Sequence, residues 1–159
     1  MFRERMKKMP EDRRQQRFDN IGDPKRYDRG KSTFEIGVES PFVKYAVYAF
    51  EAAFQNIEAK LSDGREWLIK EHYSLADLGL TPYLARLEYL NLLDVWMQDK
   101  TNTNNWWQRI KQRPSYTQAV SNPLTKIEID GMGSSGSKIK GKISQIRNEL
   151  QKYKVSISA

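Results

Sequence analysis

The chain has 159 residues, 38% hydrophobic and 11% aromatic, with a formal net charge of +7. That is mass enough for one folded domain with a real core, and it excludes a disordered chain. With no cysteine and a single histidine, His72, a disulfide framework, thiol catalysis, thiolate metal sites and His-rich metal sites are excluded as well.

The charge belongs to the ends. Residues 1–31 hold 11 basic and 6 acidic side chains, residues 32–122 hold 9 and 11, and residues 123–159 hold 7 and 3. The middle of the chain is therefore slightly acidic, and the basic residues near the start alternate with acids (PEDRRQQRFDN) as on a solvated helix face. Nucleic acid is not an expected partner. No uncharged apolar run reaches the roughly 18 residues of a membrane span, and MFRERMKKMP lacks the apolar stretch of a secretory signal, so a cytoplasmic location is expected.

In chain order, residues 10–21 start with proline and acids and run to Gly22, the layout of a short helix. Asp23 as cap, Pro24 at the first helical position and Gly37 beyond Phe34 and Ile36 define the next unit. Ser40 and Pro41 open a stronger helix. In it Val43, Val47, Phe50, Phe54, Ile57 and Leu61 form one stripe, stopped by Asp63 and Gly64.

HYSLADLGLTPYLARLEYL, residues 72–90, reads as a helix with a proline inside it at Pro82. Ser74 is a natural N-cap, Asp77 stands three positions on, and Tyr73 with Leu78 can form a hydrophobic staple. Leu75, Leu78, Pro82, Ala85, Tyr89 and Leu92 make one apolar stripe and Leu80, Leu84, Leu87 and Leu90 a second, so this helix is expected to be enclosed on most sides. Neighbouring helices then offset the roughly 3 kcal/mol that an interior proline costs. MQDKTNTNN reads as a polar loop, with Asn105 capping a short helix from Trp106 to about Arg113, ahead of Pro114, and a last turn through Tyr116 and Val120. No strand-like alternation occurs between residues 32 and 122, and the predicted fold class is all-α.

The run Ser74, Leu75, Ala76, Asp77, Leu78, with Leu80, Pro82, Tyr83, Leu84, Arg86 and Leu87, resembles the central helix of the C-terminal domain of soluble glutathione transferases. Trp107, Arg109, Ile110, Lys111, Arg113, Pro114, Ser115 and Tyr116 are similar to a later segment of that domain, and residues 23–41 to the connection seen in the β-etherase-like bacterial branch. The resemblance implies a helical bundle of that C-terminal-domain type over residues 23–122, after a lead-in over 1–22 and before a Gly/Ser linker and basic amphipathic tail over 123–159. It implies the hydrophobic-substrate side of a glutathione-dependent transferase or etherase, with Tyr45, Tyr48, Tyr83 and Trp96 as possible pocket walls, although core positions are the plainer reading of these aromatics. Glutathione is implied by the family only. Its thioredoxin-like domain is expected to be lacking ahead of residue 23, which leaves the chain inactive alone, with that domain, a homodimer partner or a hydrophobic small molecule as possible partners. A non-catalytic interaction module is the alternative.

Other motifs read as structural. Glu39-Ser40 copies the dipeptide that grips glutathione in the family's other domain but stands at a helix cap. GMGSSG, residues 131–136, is a literal G-x-G-x-x-G between strand-like KIEID and KVSIS, yet no acid or further strand follows, so it is expected to be a linker. Ile139, Ile143, Ile146, Leu150 and Tyr153 mark an amphipathic tail helix. His72 reads as an exposed loop residue, and the pairs Glu35 with Glu39 and Glu88 with Asp94 as solvated surface. No catalytic, cofactor-binding or metal-binding residue is expected in this chain.

Overall fold

The computed structural model describes residues 2–157, and side chains over residues 3–152. Among the described residues there is no strand, only two isolated bridges, Trp67 with Lys70 and Ile69 with His72. The chain forms two compact units, residues 1–48 with 145–159, and residues 49–144. The divisions between these units fall inside two long helices, at residues 48–49 and 144–145.

In the first unit, helices α1 (Phe2–Lys7) and α2 (Glu11–Asp19) precede α3 (Pro24–Ile36). Asp23 caps α3 by accepting hydrogen bonds from the N–H groups of Lys25 and Arg26, and Pro24 occupies the first turn, where its missing N–H costs nothing. Gly37 ends α3 at φ +60°, a left-handed conformation that favours glycine. Met6 and Phe18 are buried, Phe18 lies against Tyr27 and Phe34, and Arg3 donates to the carbonyls of Phe34 and Glu35. Helix α4 (Pro41–Leu61) begins in this unit at Ser40, whose fully buried hydroxyl bonds that of Ser32 at 2.8 Å.

The second unit contains the rest of α4, with Phe54, Ile57 and Leu61 buried along its stripe. It continues through α5 (Leu75–Tyr89), a short α6 (Asp94–Met97), α7 (Thr101–Lys111), α8 (Pro114–Tyr116) with a π-helical turn over Thr117–Ser121, and α9 (Lys126–Ser137). Helix α10 (Lys140–Ile157) starts here and ends in the first unit. Its Ile143 and Ile146 are buried, while the Tyr153 side chain lies outside the described residues.

Three sequence-based expectations are corrected. Helix α7 begins at Thr101, not Trp106, and Asn105 is inside it. Its cap comes from far away along the chain. Glu58 on α4 accepts from the N–H and side-chain amide of Asn102 and from the N–H and hydroxyl of Thr103, at 2.6 to 3.2 Å. A carboxylate there meets both the unpaired N–H groups and the positive end of the helix dipole.

The second correction is GMGSSG, which is neither linker nor nucleotide loop but part of α9, and the strand-like KIEID forms its first turns. Thr125 and Glu128 make a reciprocal capping box at its start. Gly133 and Gly136, one turn apart, face the end of α5 so closely that a Cβ on Gly136 would lie 1.8 Å from the Leu90 carbonyl oxygen. The glycines are there because two helix backbones nearly touch. KVSIS likewise belongs to α10 up to Ile157.

The third correction is that α5 is buried on one side only. Asp77, Thr81, Leu84, Ala85 and Leu87 face inward, whereas Leu75, Leu78 and Tyr83 are 83%, 51% and 58% exposed. Pro82 stands on that open side with Leu78 and Gly79, so the Leu78 carbonyl left without its helical partner is within reach of water.

Glu58 also sets a pH dependence. Burial pushes its carboxyl up, but the hydrogen bonds from Thr103 and Asn102 outweigh this and hold it below the usual 4.5. A carboxyl lowered by folding stabilises above its unfolded value, and that contribution is lost as pH falls through the folded value. Glu58→Gln is expected to melt below the parent at neutral pH, by about 1–2 kcal/mol of cap stability, with the gap closing below pH 4.5. Thermal melts at pH 7 and pH 3 check this, and an equal gap at both would refute the charge-based cap.

Candidate functional site

The capped start of α5 organises the second unit. Ser74 accepts from the Ala76 N–H, and Asp77 Oδ2 accepts from the N–H and hydroxyl of Ser74 at 2.9 and 3.0 Å. The other oxygen, Oδ1, accepts from the Leu68 N–H at 3.0 Å and the Trp106 indole N–H at 2.8 Å. Asp77 and Trp106 are both 0% exposed. One carboxylate thus ties the loop over residues 62–74, the first turn of α5 and the middle of α7. With four donors around it, its charge is balanced by hydrogen bonds instead of a cation.

The loop is held a second way. Arg109 in the last turn of α7 lies over Trp67, and Arg113, at the cap of α8, lies over both Trp67 and its edge-on neighbour Tyr73, only 3.8 Å from the Tyr73 ring centre. Arg109 also donates to the Glu66 carbonyl at 2.7 Å. Flat guanidinium groups suit this stacking, and a lysine could not reproduce it. The segment from Trp107 to Tyr116 therefore works as packing: Trp107 meets Tyr116 edge to face, and burial beside Tyr89 pushes the Tyr116 hydroxyl well above its usual range.

The four aromatic residues considered as pocket walls separate. Trp96 is 1% exposed, stacked on Phe54 with Phe50 tilted against it, which makes it core. Tyr45, Tyr48 and Tyr83 are exposed on α4 and α5. None of the four lines the two clefts of the second unit. The larger, of about 550 Å³, runs beside Asn91, Asp94, Asn104, Trp107 and Lys140. Its acids are paired, Glu88 with Lys111 and Asp94 with Lys140. Glu39-Ser40 caps α4, and His72 is exposed in the loop. Among the described residues no group of three His, Asp or Glu side chains could hold a metal ion, and no helix is long and apolar enough to cross a membrane.

A capped, one-sided central helix tied to its neighbours through a buried aspartate defines an all-α helical domain whose outer α5 face is open. Residues 36–114 match the family described as glutathione S-transferase, C-terminal domain. Over these residues the chain belongs to that family. It is similar to the glutathione S-transferase TCHQD of Arabidopsis thaliana, with 34% identity over 64 residues, 40% of this chain and 24% of the relative. It is also similar to the tetrachloro-p-hydroquinone reductive dehalogenase of Sphingobium chlorophenolicum, with 28% identity over 100 residues, 63% of this chain and 40% of that protein. The chain thus spans about a quarter and two-fifths of these relatives' lengths. No solved structure matches.

Glu58, Trp106, Gly133 and Gly136 are the structurally decisive residues that sequence reasoning missed. None of them carries a distinctive local signal; Glu58 is one of two acids on α4, with Glu51.

Proposed function

We propose that this chain supplies the helical half of a glutathione-dependent transferase or etherase, the half facing the hydrophobic substrate, and works with a thioredoxin-like domain that holds glutathione. The observation carrying this reading is the exposure of three large apolar side chains, Leu75, Leu78 and Tyr83, on the outer side of α5, in a chain whose residues 36–114 belong to the glutathione S-transferase C-terminal family. Single exposed apolar residues are ordinary; three on the open side of one helix mark a surface meant to be covered. The names of the two relatives, a glutathione S-transferase and a reductive dehalogenase, support thiol-dependent chemistry on an apolar substrate. Tyr83, exposed on that same helix, is an aromatic available to such a substrate, and the buried Trp96 is not.

The test is glutathione-agarose chromatography of the chain alone and of the chain co-expressed with a glutathione transferase thioredoxin-like domain. The chain alone is expected to pass through and the pair to be retained. The exposed-face variant Leu75→Glu/Leu78→Glu should release the chain from the retained domain while its melting temperature stays within about 2 °C of the parent, because neither residue is core. Retention of the chain by itself, or a complex indifferent to both glutamates, would overturn the reading.

A further inference from the structure

The first unit carries most of the net charge: residues 1–48 and 145–159 hold 15 basic and 9 acidic side chains, against 12 and 11 in residues 49–144. Part of that excess is gathered into a concave surface. A trough of about 590 Å³ at the α2–α3 corner is lined by Asn20, Asp23, Arg26 and Arg29, and a shallower one of about 320 Å³, lined by Arg13 and Arg17, shares Asn20 with it. Along α2, positions 13, 16, 17 and 20 fall on one face, and along α3 positions 26, 29, 30 and 33 do the same. Arg14 points elsewhere and lies over Phe34, while Asp28 and Glu35 stand by the same periodicity on the opposite side of α3. Arg13, Arg26 and Arg29 have no side-chain partner among the described residues. The one acid in the trough, Asp23, already accepts two backbone N–H bonds at the start of α3.

We infer that this arginine-lined trough at the α2–α3 corner is a binding site for a compact oligophosphate. The Arg26 and Arg29 guanidinium groups line this trough and Arg13 stands in the one that adjoins it through Asn20, and a guanidinium can grip a phosphate with two parallel hydrogen bonds. The volume is that of a small-ligand site, so the occupant has to carry several negative charges in little space, as linked phosphates do. A single-stranded nucleic acid fits less well, because the trough offers no exposed aromatic for a base to stack on: Tyr27 is half-buried against Phe18.

Calorimetric titration of the full chain with sodium tripolyphosphate, at roughly physiological salt where diffuse attraction is screened, tests this. Saturable 1:1 binding is expected, with affinity falling about tenfold or more in Arg26→Ala/Arg29→Ala. Lys44→Ala/Lys60→Ala, which removes two exposed charges from α4, is the control and should bind as the parent does. All side chains changed are exposed, and circular dichroism melts verify that each variant is folded. Absence of saturable binding, an equal loss in the control, or tighter binding of a short DNA duplex than of tripolyphosphate at equal phosphate would each overturn the proposal.

Discussion

Replacing Asp77 with Ala is expected to cost on the order of 3–5 kcal/mol, which is much of the total stability of a domain this size. The substitution strands two buried donors, the Leu68 backbone N–H and the Trp106 indole, and with them the half-buried Ser74 N–H. Each unsatisfied buried group costs about 1–3 kcal/mol, and some entry of water keeps the sum below the simple total. Asp77→Asn separates charge from geometry. It retains one acceptor oxygen for Leu68 and Trp106 but turns a donor toward the Ser74 N–H, so an intermediate loss is expected. Urea denaturation of the three proteins reads the difference, and an Asp77→Ala loss below about 1 kcal/mol would remove the hub from the account of this fold.

Gly136→Ala is expected to be nearly as damaging through the opposite fault, excess volume. The added Cβ would meet the Leu90 carbonyl oxygen at 1.8 Å, its carbon at 2.7 Å and its Cα at 3.0 Å. All three are backbone atoms that no rotamer change can remove, so α9 has to retreat from α5. A loss of about 3 kcal/mol or more follows, at the top of the range for overpacked sites. Gly133→Ala should cost less, because its nearest neighbour is the movable Asn91 amide at 3.0 Å. Gly79, also helical but with nothing within 4 Å of a built Cβ, is the internal control: alanine there should be neutral or stabilising by about 0.5–1 kcal/mol. Hydrogen exchange of the α9 amides distinguishes local release from global unfolding, and protection unchanged in Gly136→Ala would refute the close crossing.

The legible parts of this molecule are the local ones. The Ser74 and Asp77 pair can be read because a cap needs residues only three apart, and the α4 stripe because periodicity is carried within one helix. Asp23, Pro24 and Gly37 delimit α3 by the same short-range logic. What escaped depends on distant partners. The start of α7 is set by Glu58, more than forty positions earlier, so local signals placed the cap too late, at Asn105. The glycines of α9 resemble a linker until the Leu90 carbonyl is known to lie against them. Asp77 could be assigned to its cap but not to Trp106, which comes from another helix. Two apolar stripes on α5 indicated oily faces without indicating which one the chain itself would cover, and the face of Leu75, Leu78 and Tyr83 is left open.

The arginine and aromatic stack over the loop has an optical consequence. Of the four tryptophans, Trp96, Trp106 and Trp107 are at most 1% exposed, while Trp67 is half-buried beneath Arg109 and Arg113. A water-borne fluorescence quencher therefore reaches one indole in the native chain and all four after denaturation. The emission carries two separable signals, one from the cation-covered loop and one from the interior.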